Sequence, residues 1–406
     1  MNIEQQRKHT DSRYLVFIGA IIFILMGAWS GGLQESGRDF KATYLASHSL
    51  VSGLGDPYNE NSMAVVGATS EPAFTRFLYF PTMFAVTAPL GLLSWKAAAT
   101  VWLVFTIGLI IVAAVLIWNV GEGYSPLLAS VLVAYFLVNS EVVLIMTNAA
   151  GIAIALCVIS CWSFVKGKYI WLGVICLALS LMIKPQDTGA IWLFFLLIGG
   201  SYRKNTLRTL AVIILLGIPS LLWVWHISPH WLQEWHNNVA WFSAKGRIND
   251  PGGIGLLVNL QAPFSAIRDV PNFYNTATIL VMAPVFALWG WLTLKSKLTP
   301  RSVWIGLAAT SSLALLPVYH HLFDAKILLL TIPACAMLWA EGKRFIPILT
   351  ILAFVFTGDV YVSQLACRGG ILGWIATPLL LLMGVSYLVA WTKPCSVHME
   401  SCQTAP

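Results

Sequence analysis

Residues 14–44 read YLVFIGAIIFILMGAWSGGLQESGRDFKATY. The first part, Tyr14 to about Gly32, is apolar and carries no charge. Its length matches the roughly 20 residues that a helix needs to cross a bilayer core. The second part, Gly37-Arg38-Asp39-Phe40-Lys41-Ala42-Thr43-Tyr44, is polar and charged and follows almost at once. The preceding tail, Met1–Arg13, is polar and basic, and the apolar run lacks a small-residue cleavage site. The run therefore reads as a retained first transmembrane helix and not as a signal peptide. Asp39 then stands where that helix should leave the membrane.

The whole chain supports this reading. Of 406 residues, 58% are hydrophobic and 10% charged, against roughly 25% charged in a soluble domain. The expected fold is an all-α polytopic membrane protein with about 12 to 14 transmembrane or re-entrant helices. It forms one integral-membrane domain over 14–391, between cytoplasmic tails 1–13 and 392–406. The 18 Trp residues suit long membrane–water boundaries, and the net charge of +7 reports topology and not nucleic-acid binding. Cys157, Cys161, Cys176 and Cys335 lie inside apolar runs. No CxxC pair exists, so neither a zinc site nor a disulfide framework is expected.

Further apolar runs fall at 78–93, 97–118, 124–147, 148–165, 169–183, 188–199, 208–226, 276–294, 302–316, 325–340, 345–362 and 371–391. Arg7, Lys8 and Arg13 place the N-terminus inside by the positive-inside rule. Lys166 with Lys168, Arg203 with Lys204 and Arg208, Lys295 with Lys297 and Arg301, and Lys343 with Arg344 mark cytoplasmic turns. The alternate turns then face outward: Lys184–Asp187, Tyr319–Asp324, Cys367–Gly370 and the long segment 227–275. An inside N-terminus also puts the 34–77 loop outside, which conflicts with counting each run as one crossing. Two passes or a re-entrant pair over 119–147 repair the parity, with Gly121, Gly123, Pro126 and Asn139-Ser140-Glu141 as places to break. Within the 34–77 loop a short interfacial helix is expected over Phe40–Val51, closed by Gly53 and Gly55.

Three outer turns carry titratable groups. Asp39, at a membrane boundary, suits a general base; the plainer alternative is a helix cap or solvated loop aspartate. Tyr44 and His48 share one face of the expected helix and either line a sugar site or anchor the interface. Lys184 in Lys184-Pro185-Gln186-Asp187 is costly at membrane depth unless paired. Its partner is a phosphate or, equally, Asp187. His320, His321 and Asp324 form the third cluster, with Lys326 adding charge. Phosphate or sugar hydrogen bonding is the first role considered for it, and a metal the lesser one.

At these residues the chain resembles the family 87 glycosyltransferases. Asp39-Phe40, Tyr44, Ala46, Leu50, Gly53 and Tyr58 look like that family's first-loop signature. Leu78-Tyr79-Phe80-Pro81-Thr82 followed by Ala88-Pro89-Leu90-Gly91-Leu92-Leu93 looks like its second-helix motif. Lys184-Pro185-Gln186 and Tyr319–Asp324 are similar to its Lys-Pro and late His/Asp motifs. The pattern departs at two places: Phe80 stands within the usual Tyr-Pro-Pro, and Thr147-Asn148 replaces a Gly-Gln often found there.

The resemblance implies a GT-C-like membrane enzyme of a bacterial-type inner membrane, with an extracytoplasmic active site. Its donor would be a polyprenyl-phosphate sugar, with mannose expected. Its acceptor would be a glycan or glycolipid, and Asp39 would be the base. Lys184, His320, His321, Asp324, Tyr44 and His48 are the expected donor-phosphate and sugar-binding residues. No cofactor is expected, and the need for a divalent metal stays open. The rival reading is a transporter or flippase of lipid-linked sugars; a subunit or polymerase of an envelope glycan pathway is a third.

Overall fold

In a bilayer an uninterrupted apolar run satisfies its backbone polar groups only by becoming helical. Tyr14–Gly31 accordingly lies within α1, Ile3–Gly31, in the computed structural model. The model describes residues 3–32, 38–69, 71–253, 257–359 and 371–392. Gly37, the Cys367–Gly370 turn, Lys393 and the side chains of Arg7, Lys8 and Arg38 lie outside the described residues. The chain is all-α, and among the described residues the only strand-like feature is an isolated antiparallel bridge between Leu257 and His321.

After α1 come α2 (Arg38–Ser52), α3 (Glu60–Gly67), α4 (Pro72–Thr75), a 3-10 turn Pro81–Met83, and α5 (Phe84–Gly91). Then follow α6 (Trp95–Gly121), α7 (Pro126–Val138), α8 (Glu141–Met146), α9 (Ala149–Lys166), α10 (Ile170–Ile183), α11 (Pro185–Ile198) and α12 (Gly200–Ile227). The remainder is α13 (Trp231–Phe242), α14 (Gln261–Ile267), α15 (Pro271–Lys295), α16 (Pro300–Ala314), a 3-10 segment Asp324–Thr331, α17 (Ile332–Ala340), α18 (Phe345–Phe356) and α19 (Ile371–Thr392). Among the described residues, seven helical stretches are long and apolar enough to cross a membrane. Phe17, Leu25 and Trp29 on α1, and Leu215, Leu222 and Trp225 on α12, are exposed large apolar side chains of the kind that face lipid. The buried centre is built from α9, α16, α17 and the 3-10 segment before α17.

The helix ends sort by charge. At one end Arg13 stacks over Trp118 at 5.9 Å. There Arg301 forms a two-pronged pair with Glu341 at 2.7 and 2.9 Å, and Lys343 joins Glu341 at 2.6 Å. A Cβ on Gly200 would sit 2.7 Å from Leu298, so the turn before Arg203 meets the Lys295–Arg301 turn. These are the basic turns that the sequence groups together. The other end carries α2 and the turns around Asn148, Lys184 and His320.

The apparent parity conflict is resolved at a different place from the one expected. Run 78–93 is not a crossing. Pro81–Gly91 covers roughly 16 Å at the helical rise, about half the hydrocarbon thickness. Both of its flanks stay with α2 and the residues beside it. Gly91 packs so closely on α2 that a Cβ would lie 2.6 Å from the Ser47 carbonyl. Segment 119–147 in turn crosses once. Trp118 donates to Ser130 near the start of α7 (2.9 Å), and Trp102, at the other end of α6, donates to the Thr147 carbonyl just past α8 (3.0 Å). Together α7 and α8 thus run the length of α6 in the opposite direction, broken at Asn139–Ser140.

Segment 227–275 is part helical. Helix α13 docks on the stretch before α5: Trp235 donates to the Leu78 carbonyl at 2.8 Å, and Asn238 to those of Tyr58 and Phe77 at 3.1 and 3.2 Å. Farther on, Val258 and Leu260 donate backbone hydrogen bonds to His320 and Leu316 at 2.9 and 3.0 Å. This segment therefore ties the residues around Tyr79 to those around His320.

Candidate active site

Helix α2 begins at Arg38, two residues before the Phe40 start expected from the sequence, and Gly53 ends it with φ +65, a conformation that suits glycine. Asp39 lies in its first turn, where a carboxylate faces the positive end of the helix dipole. Asn148 is the N-cap of α9: its Oδ1 accepts from the Ala150 N–H at 2.9 Å. The other end of the same amide, Nδ2, donates to Asp39 Oδ2 at 2.7 Å.

The second group forms at the α10–α11 turn. Pro185 keeps Lys184 out of helical geometry, with φ −149 and ψ 79. The Lys184 ammonium then meets Asp324 directly, Asp187 at 3.2 Å and the face of Phe323 at 5.0 Å. The ammonium and both carboxylates are almost fully shielded from solvent, with exposures of 6% or less. Asp324 is fixed on its other side by the His321 N–H at 2.9 Å. His320 Nε2 stands 3.7 Å from Asp187 Oδ1, and His321 Nε2–H donates to Asn249 at 2.8 Å. Burial lowers the pKa of His320, and that of His321 to about 4, which favours the neutral ring in both. One lysine thus faces two carboxylates, and apart from the Lys184 ammonium no hydrogen-bond donor meets an Asp187 oxygen among the described residues. Asp187, the partner that the sequence offers from this chain, is engaged, and so is Asp324, which the sequence does not pair with Lys184.

Tyr79 lies near both groups. Its phenol lies within electrostatic reach of Lys184, Asp39, Tyr319 and Asp324, and burial pushes its pKa above the usual phenol range. The backbone holds it there: Tyr58 donates to the Tyr79 carbonyl at 2.8 Å, and Thr82 donates to the Met182 carbonyl at 3.1 Å, two residues before Lys184.

No protein-family model, curated protein or solved structure matches the chain.

Of the residues selected from the sequence, Lys184, His320, His321 and Asp324 come together, and Asp39, like Lys184 and Asp324, lies within electrostatic reach of the Tyr79 phenol. Tyr44 and His48 take another direction. The Tyr44 hydroxyl donates to the Leu93 carbonyl at 2.9 Å, and His48 Nδ1 hydrogen-bonds the Gly91 carbonyl at 2.7 Å. Their rings stack at 5.7 Å, and both clamp α2 to the α5–α6 turn. Tyr79, Asn148 and Asn249 were not selected as site residues. Asn148 does carry a signal, an Asn directly before an apolar run, but that signal names a helix cap and not its second partner. Among the described residues, no group of three or more His, Cys, Asp or Glu side chains is placed to hold a metal ion.

Proposed function

We propose that the chain is a membrane glycosyltransferase that moves a hexosyl group, mannose foremost, from a polyprenyl-phosphate donor to a hydroxyl of an extracytoplasmic glycan or glycolipid. One observation carries the reading. Tyr79 stands within electrostatic reach of both Asp39 and the Lys184–Asp324 pair, so four stretches far apart in sequence contribute chemistry to one end of the bundle. The four motifs similar to family 87 glycosyltransferases supply these same residues.

In the proposed reaction the acceptor O–H gives its proton to the Asp39 carboxylate. Its oxygen attacks the anomeric carbon from the face opposite the phosphate. The new glycosidic C–O bond forms as the C–O bond to phosphate breaks, and the electron pair leaves on the phosphate oxygen. The products are an inverted glycoside, the polyprenyl phosphate and protonated Asp39, which returns its proton to water. A general base of this kind contributes typically about 10²–10⁴-fold to a rate. The Tyr79 phenol donates a hydrogen bond to the departing phosphate. Lys184 meets the phosphate's charge by exchanging its contact with Asp324, which keeps the His321 N–H as a donor.

The test is reconstitution of the purified chain into proteoliposomes with a labelled polyprenyl-phosphate sugar and soluble or lipid-linked acceptors. A new glycosidic product supports the reading. Movement of intact donor between leaflets with no product supports a flippase instead.

A further inference from the structure

We infer that Asn148 is a positioning residue for Asp39: one end of its amide is committed to starting α9, and the other end therefore fixes the orientation of the Asp39 carboxylate. The inference rests on Asp39 as the base and deepens that reading.

The geometry leaves the amide little choice. A side-chain amide has one acceptor oxygen and one donor nitrogen. As N-cap, Asn148 spends its oxygen on the Ala150 N–H at 2.9 Å. The nitrogen must then point away from the helix start, and it meets Asp39 Oδ2 at 2.7 Å. A flipped amide would set its oxygen against the carboxylate and its nitrogen against an N–H, losing both hydrogen bonds. Asn148 is buried, so water is poorly placed to replace either partner.

The backbone that carries Asn148 is fixed from both sides. Thr147 has φ +48, in the left-handed region that a β-branched residue rarely enters. The Trp102 indole holds its carbonyl at 3.0 Å, and the Trp102 ring stacks on Phe40, the neighbour of Asp39, at 4.6 Å. The same indole thus braces both partners. At the other end of α8, Asp359 Oδ2 accepts from the Val142 N–H at 2.8 Å, and Lys326 bonds to both Asp359 and the Asn139 carbonyl. A short helix held at each end sets the distance from Asn148 to Asp39.

The experiment compares Asn148→Gly, Asn148→Ser and Asn148→Asp with wild type and Asp39→Asn in the proteoliposome assay. Rates are taken per folded protein, with a melting temperature for each variant. Glycine lacks the donor and, in this buried place, also leaves the Ala150 N–H without its cap, so N148G lowers the melting temperature somewhat, while donor KM stays unchanged and kcat falls on the order of 100-fold. N148S restores a cap and an O–H donor and lies above N148G. N148D keeps the cap but sets a like charge against Asp39, so it lies at or below N148G.

Wild-type kcat in N148G would overturn the inference. A fall in which kcat, KM and melting temperature move together would also overturn it, because it marks a structural cap alone. Full activity in D39N would remove the base itself, and with it the proposed function. An inactive D39N beside a fully active N148G would remove only the role of Asn148.

Discussion

The Lys326 ammonium lies 2.8 Å from Asp359 Oδ1, and both side chains are buried, at 7% and 2% exposure. The pair joins the 3-10 segment before α17 to the residues just after α18. Through Val142 and Asn139 it also pins the break between α7 and α8. A buried pair of this kind is costly to break and cheap to replace. Lys326→Met alone should cost about 3–5 kcal/mol, because Asp359 is left without its cation. Lys326→Met with Asp359→Leu should recover most of that loss. Chemical unfolding in detergent measures both, and equal losses in the single and the double variant would contradict the account.

The Lys184 cluster predicts an asymmetry. One ammonium serves Asp187 and Asp324, and among the described residues Asp187 has no other hydrogen-bond donor. Lys184→Met strands two buried carboxylates and should destabilise by about 3–5 kcal/mol. Asp187→Asn removes the surplus negative charge, so it should cost much less or stabilise. The opposite ranking in unfolding midpoints would mean that Asp187, and not Asp324, is the main partner of Lys184.

Stability should fall in mild acid, and His321 is one cause. Burial holds its pKa at about 4 in the folded chain, against an ordinary 6.5. Above pH 6.5 both the folded and the unfolded state hold it neutral. As pH falls from 6.5 towards 4, the unfolded state takes up the proton and the folded state does not, so stability is lost across that window. The full difference is worth up to about 3 kcal/mol at 1.36 kcal/mol per pH unit. His320 shifts in the same direction and adds to it. His321→Asn should flatten the slope between pH 6.5 and 4, at the cost of a lower plateau from loss of the Asn249 contact. An unchanged slope would mean that His321 is protonated in the fold.

Tyr79→Phe isolates the phenol. Its backbone carbonyl, which accepts from Tyr58, is untouched, so folding should be preserved. Transfer should fall roughly 10- to 100-fold if the hydroxyl donates to the leaving phosphate. Donor turnover measured at saturating acceptor checks this, and a wild-type rate would remove Tyr79 from the chemistry.

Much of the scaffold is legible in the sequence, because a bilayer permits few backbone solutions. The apolar run after Arg13, the helix over Phe40–Val51 with Gly53 at its end, and the grouping of the basic turns follow from hydropathy, turn chemistry and charge. The run 78–93 shows the limit. Apolar composition alone does not separate a crossing from a short helix buried against α2, and the distinction lies in the close contact of Gly91 with Ser47. The site divides in the same way. Lys184 and Asp324 draw attention as charges in oil, but their pairing spans 140 residues. The Asp39–Asn148 contact spans 109 residues and involves an amide whose local pattern signals only a helix start. Asp359 was hidden inside the apolar run 345–362, where only the fold reveals its cation.

The most direct test is Asp39→Asn in a single-turnover assay, with labelled polyprenyl-phosphate mannose and excess acceptor in proteoliposomes. The substitution is close in shape and can still accept a hydrogen bond from Asn148, so insertion and folding should match wild type. The account predicts normal donor binding with transfer reduced to background. Transfer at the wild-type rate would contradict it.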